Sequence, residues 1–306
     1  MCKSKNINRV LVPVQFDKAS TKLLRYAWHL ASNLGAELVL LHTSRTKDLT
    51  FTQQSRNIHQ LRTFGERILT EEQKPNNKPV PYECVVRPGY LHECVANVVA
   101  EYAADMVLME TCVLHQDEAE NDPDNAAAIM ELVSCTVMVM PCTVTFKKLE
   151  NLVFATDFTD QEDQVLQQIV GFADQAKANL TLVQVYSASD RPQLSSYKTA
   201  MRAIEKKLNG KKSTLKLLEE EDLLEGISDF AESAAANMLI LATQDSYLLK
   251  RLFSSNYIKT MAYHTRYPIL TFRQTKRKPC AGGCANCKSK KAAEQLLSGS
   301  SFTILN

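Results

Sequence analysis

Ile7–Phe16, INRVLVPVQF, reappears as Leu149–Phe158, LENLVFATDF, at an offset of 142 residues. At the same offset Ala36–His42, AELVLLH, returns as Ala178–Gln184, ANLTLVQ. Further on, Asp105–Met109 matches Asn237–Leu241 and Cys135–Met138 matches Tyr267–Leu270, now at an offset of 132. The matches are short, but they share one order and one change of spacing. The chain is therefore an internal duplication whose second copy is about ten residues shorter in its middle.

Each copy alternates apolar runs of strand length with longer amphipathic segments. In the first copy the strands are expected at Arg9–Gln15, Glu37–His42, Pro81–Arg87, Met106–Glu110 and Thr136–Met140, and the helices near Ser20–Leu34, Thr52–Glu72, Tyr90–Ala103 and Asn125–Val133. In the second, strands fall at Leu152–Asp157, Leu180–Tyr186, Leu215–Glu219, Met238–Ala242 and Ile269–Arg273, with helices near Asp160–Ala178, Ser195–Lys207, Asp222–Ala235 and Lys250–His264. Such alternation gives an α/β fold: a parallel, doubly wound, Rossmann-like sheet with helices on both faces. The boundaries drawn from it are residues 1–145, 146–274 and a basic, Cys-rich C-terminal tail at 275–306, with a short linker near Thr143–Lys148.

The stretch Met238–Phe272 reads as strand, loop, helix, strand. In a parallel sheet a loop leaving a strand's carboxyl end toward a helix N-terminus is the usual ligand position. This stretch resembles the C-terminal part of a universal stress protein domain, whose phosphate loop has the form Gly-x2-Gly-x9-Gly-Ser/Thr. The motif positions fall here on Ala242, Asp245, Ser255 and Asn256, and in the first copy on Glu110, Val113, Pro123 and Asp124. The frame fits and the glycines that let backbone amides approach phosphate are absent. The resemblance implies five strands in the order 3-2-1-4-5 in each copy. It also implies two halves paired as an intramolecular pseudo-dimer near Thr136–Met140 and Ile269–Arg273, where exposed edges want a partner; a homodimer of chains is a further expectation.

In nucleotide-binding members of that family an Asp ends strand one. Asp157 holds that position in the second copy; the first has Gln15, with Asp17 two residues on. Asp157 also suits a helix N-cap. A degenerate nucleotide site would comprise Asp157, Thr243, Ser254, Ser255 and Asn256. The first copy's loop carries Asp117, Glu118, Glu120, Asp122 and Asp124, a negative field opposed to triphosphate. ATP is not expected to bind in the family's manner.

Nothing in the resemblance accounts for the tail. Cys280, Cys284 and Cys287 form a C-x3-C-x2-C cluster, spaced by Gly and Ala, beside Lys276, Arg277, Lys278 and Lys288. Three nearby thiols suit zinc or an iron–sulfur cluster, and neighbouring cations favour the thiolate. A metal role predicts near-stoichiometric zinc or iron in the purified protein, lost when all three become Ser; unchanged or absent metal removes it. Cys84, Cys94, Cys112, Cys135 and Cys142 lie among apolar residues and read as small hydrophobes.

A net charge of +2 points to no polyanionic partner, so neither nucleic acid nor membrane is expected. The N-terminus lacks a signal peptide's apolar core and no run approaches a membrane span, so the expected location is cytoplasmic. No nucleophile-elbow, Walker-type or paired His–Cys signature appears. Three readings follow: a non-enzymatic stress-response protein acting through contacts with an unidentified protein; a nucleotide switch using the second domain; and a metal or redox sensor using the tail.

Overall fold

The computed structural model describes residues 6–44, 46, 48–73, 78–111, 126–208, 210–243 and 266–273. The first half contains β1 (Arg9–Pro13), α1 (Lys18–Leu34), β2 (Glu37–Ser44), α2 (Phe51–Glu72), β3 (Tyr82–Pro88), α3 (Leu91–Glu101), β4 (Met106–Thr111), α4 (Ala126–Leu132) and β5 (Thr136–Pro141). The second contains β6 (Asn151–Ala155), α5 (Asp163–Ala176), β7 (Asn179–Tyr186), α6 (Leu194–Lys207), β8 (Ser213–Glu219), α7 (Leu223–Ser233), β9 (Met238–Thr243) and β10 (Ile269–Arg273). The helix expected at Lys250–His264 lies outside the described residues.

All strands belong to one sheet in the order β3-β2-β1-β4-β5-β10-β9-β6-β7-β8. Within each half the strands are parallel and follow the order 3-2-1-4-5. The halves meet where β5 pairs antiparallel with β10, in the register Ile269↔Val139, Leu270↔Met138, Thr271↔Val137. Thr271 Oγ1 adds a bond to the Val137 carbonyl at 3.0 Å. Because β5 is buried at every position and β10 at all but its exposed end, an edge there would leave apolar side chains and a row of amides uncovered.

Packing makes the two halves one body. A single apolar layer runs across both, from Trp28, Leu38 and Leu61 through Met138 and Leu270 to Phe154, Phe172 and Leu182. On the opposite face each half keeps its own layer, around Leu11, Val95 and Ile129 in the first and Val153, Ile227 and Leu239 in the second. Alternate residues of one strand enter opposite layers, as a pleat requires. No helix among the described residues is long and apolar enough to cross a membrane.

Several paired details explain why the repeat is visible. Asp105 Oδ2 accepts from the amides of Asn8 and Arg9 at 2.9 and 3.2 Å, and Asn237 Oδ1 accepts from Glu150 and Asn151 at 2.8 Å each. These carbonyl-type oxygens pin the start of each half's central strand. Ala103 and Ala235 both turn their helix ends with φ of 48°. Gly35 (67°) and Lys177 (57°) close α1 and α5 in the left-handed conformation, which suits the glycine better.

The joint itself is not symmetric. Gln175 on α5 reaches into the first half, accepting from the Ile7 amide at 2.9 Å and donating to the carbonyls of Ile7 and Leu34 at 2.7 and 2.9 Å. Its counterpart at the offset of 142 is Asn33 on α1, whose Oδ1 is buried without a hydrogen-bond partner. The connecting segment is held by Phe146, edge-on to Tyr26 at 5.3 Å and stacked on His29 at 5.4 Å, while His29 Nε2 bonds Glu72 at 3.0 Å.

Candidate functional site

The order 3-2-1-4-5 creates a crevice at the carboxyl ends of the first and fourth strands of each half, where successive connections leave in opposite directions. In the first half its described walls are the segment after β1, the start of α1 and the end of β4. β1 ends at Pro13, two residues earlier than its apolar run predicts, and Phe16 turns the chain with φ of 62°. That turn places the Phe16 ring 4.3 Å from His42 and 5.6 Å from Phe64. His42 Nδ1 donates to the Val14 carbonyl at 2.8 Å, and burial lowers its pKa.

Gln15, at the position of the family's strand-one Asp, donates from Nε2 to Thr43 Oγ1 at 3.2 Å. Asp17 caps α1, accepting from the Ser20 amide at 2.6 Å. Across the crevice, at the first motif position, stands Glu110 on β4. It is half-buried and its Oε1 has no hydrogen-bond partner. Burial raises its pKa to about 7, Asp17 reinforces the shift and Lys22 opposes it.

The second crevice differs. Asp157 is exposed, and its Oδ1 accepts from the Thr159 amide at 2.8 Å and the Thr159 hydroxyl at 2.7 Å. The carboxylate thus caps a 3₁₀ turn, Phe158–Asp160, before α5 begins at Asp163. This explains why β6 and α5 are shorter than the expected Leu152–Asp157 and Asp160–Ala178. Behind it, Gln184 accepts from the Phe158 amide at 2.9 Å, and Thr156 Oγ1 donates to Gln161 at 2.6 Å. Thr243 ends β9; Ser254, Ser255 and Asn256 lie outside the described residues, as do Cys280, Cys284 and Cys287 and the acidic residues Asp117–Asp124. Among the described residues no three His, Cys, Asp or Glu side chains are arranged to hold a metal ion.

Sequence reasoning placed Asp157, Gln15 and Glu110 at the crevices and missed His42 and Gln184. Both polar residues follow an apolar run near the end of the second strand of their half, at matching repeat positions, a signal the alignment contained.

The Universal stress protein family model matches the chain twice, over residues 6–141 and 148–273. Among curated proteins none matches. Similar solved structures include a universal stress protein from Archaeoglobus fulgidus DSM 4304, with a TM-score of 0.62 and 11% identity over 89% of this chain and 98% of that one. A functionally unknown protein from Pseudomonas aeruginosa PAO1 aligns with a TM-score of 0.53 and 14% identity, covering 96% of this chain and 98% of its own. A putative universal stress protein from Pseudomonas aeruginosa UCBPP-PA14 follows at 0.52 and 15%, covering 87% and 93%. At such identities the likeness concerns the fold.

Proposed function

This chain belongs to the universal stress protein family as a tandem, two-domain member, and from that we propose that it serves the stress response without catalysis, through protein contacts and without binding ATP in the family's usual manner. The observation that carries this reading is Glu110. Its buried, unpartnered oxygen occupies the first crevice where phosphate would be cradled, and an anion placed there meets a carboxylate instead of an amide. In the second copy's sequence the motif positions Ala242, Asp245 and Ser255 lack glycine as well. The full chain titrated calorimetrically with Mg·ATP should give no binding heat up to about 1 mM, weaker than about −4 kcal/mol. Micromolar affinity would overturn the reading.

A second reading is supported by Asp157. Only Oδ1 is used by Thr159, and the carboxylate is exposed just beyond the end of β6, so a nucleotide switch there would retain one anchor. If ATP or AMP binds, Asp157→Asn, which keeps an oxygen for the cap, should reduce affinity at least about tenfold. Binding unaffected by that change would exclude Asp157 as the anchor.

A further inference from the structure

Helix α6 carries Lys198, Arg202 and Lys206 at successive fourth positions, so they form one row, about 6 Å from each to the next, along its axis. All three are exposed, and none has an ion pair or hydrogen bond among the described residues, in contrast to their neighbours. Lys207 bonds Asp163 at 2.6 Å and Lys211, just past the helix, pairs with Asp174, both acids lying on α5. Lys212 extends the positive row into the turn before β8, and Glu205 is the only acid from Leu194 to Lys216. Beside the row runs a second exposed line, Ser195, Thr199 and Ala203, small side chains that leave the cations standing proud.

The fold does not impose this. The corresponding helix of the first half, α2, mixes Arg62 and Arg67 with Glu66, Glu71 and Glu72, and the last two are paired with Arg25. A row of unpaired like charges costs stability, so its presence on one half alone asks for a partner. The partner's chemistry follows from what the face lacks. Among the described residues the exposed large hydrophobics are Phe51, Tyr90 and Leu132, all in the first half. A protein interface wants buried apolar anchors, and an interfacial membrane helix wants an apolar face; α6 offers neither. A chain of regularly spaced anions needs only charge and a few hydroxyls.

We propose that the exposed row Lys198–Arg202–Lys206 docks the sugar–phosphate backbone of a nucleic acid, without reading its bases. With no exposed aromatic side chain on α6 to stack on a base, sequence preference is not part of the interaction. This goes beyond the crevice reading above and does not depend on it.

The test uses the full chain and a fluorescein-labelled duplex of about 20 base pairs and arbitrary sequence, followed by anisotropy between about 50 and 200 mM salt. Each phosphate contact contributes about 0.9 to the slope of log affinity against log salt. The variant with Lys198→Ala, Arg202→Ala and Lys206→Ala should therefore lower the slope by about 3 and remove an about 40-fold share of the salt dependence over that range. Alanine is a good helix former, so circular dichroism should be unchanged. The basic residues Lys276, Arg277 and Lys278 are common to both proteins and cancel in the difference. Equal slopes for the two proteins, or no binding to DNA, would overturn the proposal. So would a triple variant that loses binding to phosphatidylserine vesicles or to polyglutamate as strongly as to DNA, because the row would then be a general anion or membrane surface.

Discussion

Gln175→Ala is expected to cost the folded protein about 3 kcal/mol, the largest loss from any single polar side chain at the joint. Truncation strands the Ile7 amide and the carbonyls of Ile7 and Leu34, which the glutamine alone satisfies at 2.7–2.9 Å. Ile7 is 5% exposed and Leu34 6%, so water compensates poorly, and each buried orphan costs on the order of 1–3 kcal/mol. The opposite experiment is available on the other side of the joint. Asn33, one methylene shorter, leaves Oδ1 buried and unpaired; Asn33→Gln should reach the counterpart main chain at Leu149 and gain on the order of 1 kcal/mol. Urea unfolding of the full chain measures both, and the shared apolar layer predicts one transition. A Gln175→Ala protein within about 0.5 kcal/mol of the parent would show that the three bonds are not what holds this side together.

The stability of the parent protein should fall as pH rises from about 4.5 to about 7, relative to a Glu110→Gln variant. The ordinary carboxyl value of 4.5 applies in the unfolded chain, while burial raises the folded value to about 7. Between those limits the folded state holds a proton that the unfolded state has released, so stability declines with pH and levels off above the upper one. The full shift would correspond to about 3 kcal/mol, and half-exposure of the side chain reduces the expected difference to about 1–2 kcal/mol. His42 acts with the opposite sign: burial lowers its pKa below 6.5, so its contribution rises with pH until that value is passed. Subtracting the Glu110→Gln curve removes the His42 part, which both proteins share. Parallel curves for the two proteins from pH 5 to 8 would mean that Glu110 ionises as it would in water. Near neutral pH the same group changes its charge beside Asp17 and Lys22, which is why it bears on the first crevice as well as on stability.

The two results bear on one design. The halves are joined by main chain at β5 and β10, by a continuous apolar layer and by a glutamine acting from one side. The crevices meanwhile have diverged: His42 and Glu110 in the first, Gln184 and Asp157 in the second. A tandem chain allows this divergence, because unlike a symmetric dimer it need not place the same residue at both positions.

Strand and helix order was legible because it is written locally. Central strands such as LVPV and MLILA are apolar on both faces, and the duplication repeats them at fixed offsets. The repeat aligned Asp105 with Asn237 and type and position named Asp157 as a cap, whereas the bonds by which Asp105 and Asn237 pin the central strands came from the structure. Net charge is silent on placement: a total of +2 does not reveal the cations gathered on α6, because acids elsewhere cancel them in the sum but not in space. The tertiary structure alone decided the rest. Gln175 acts on residues 141 and 168 positions away, Phe16 takes a left-handed turn that no side chain of its type advertises, and Glu110 is shifted by its surroundings and not by its sequence neighbours. Periodicity and propensity report on a few residues at a time, whereas burial, charge proximity and long-range pairing exist only once the chain has closed upon itself.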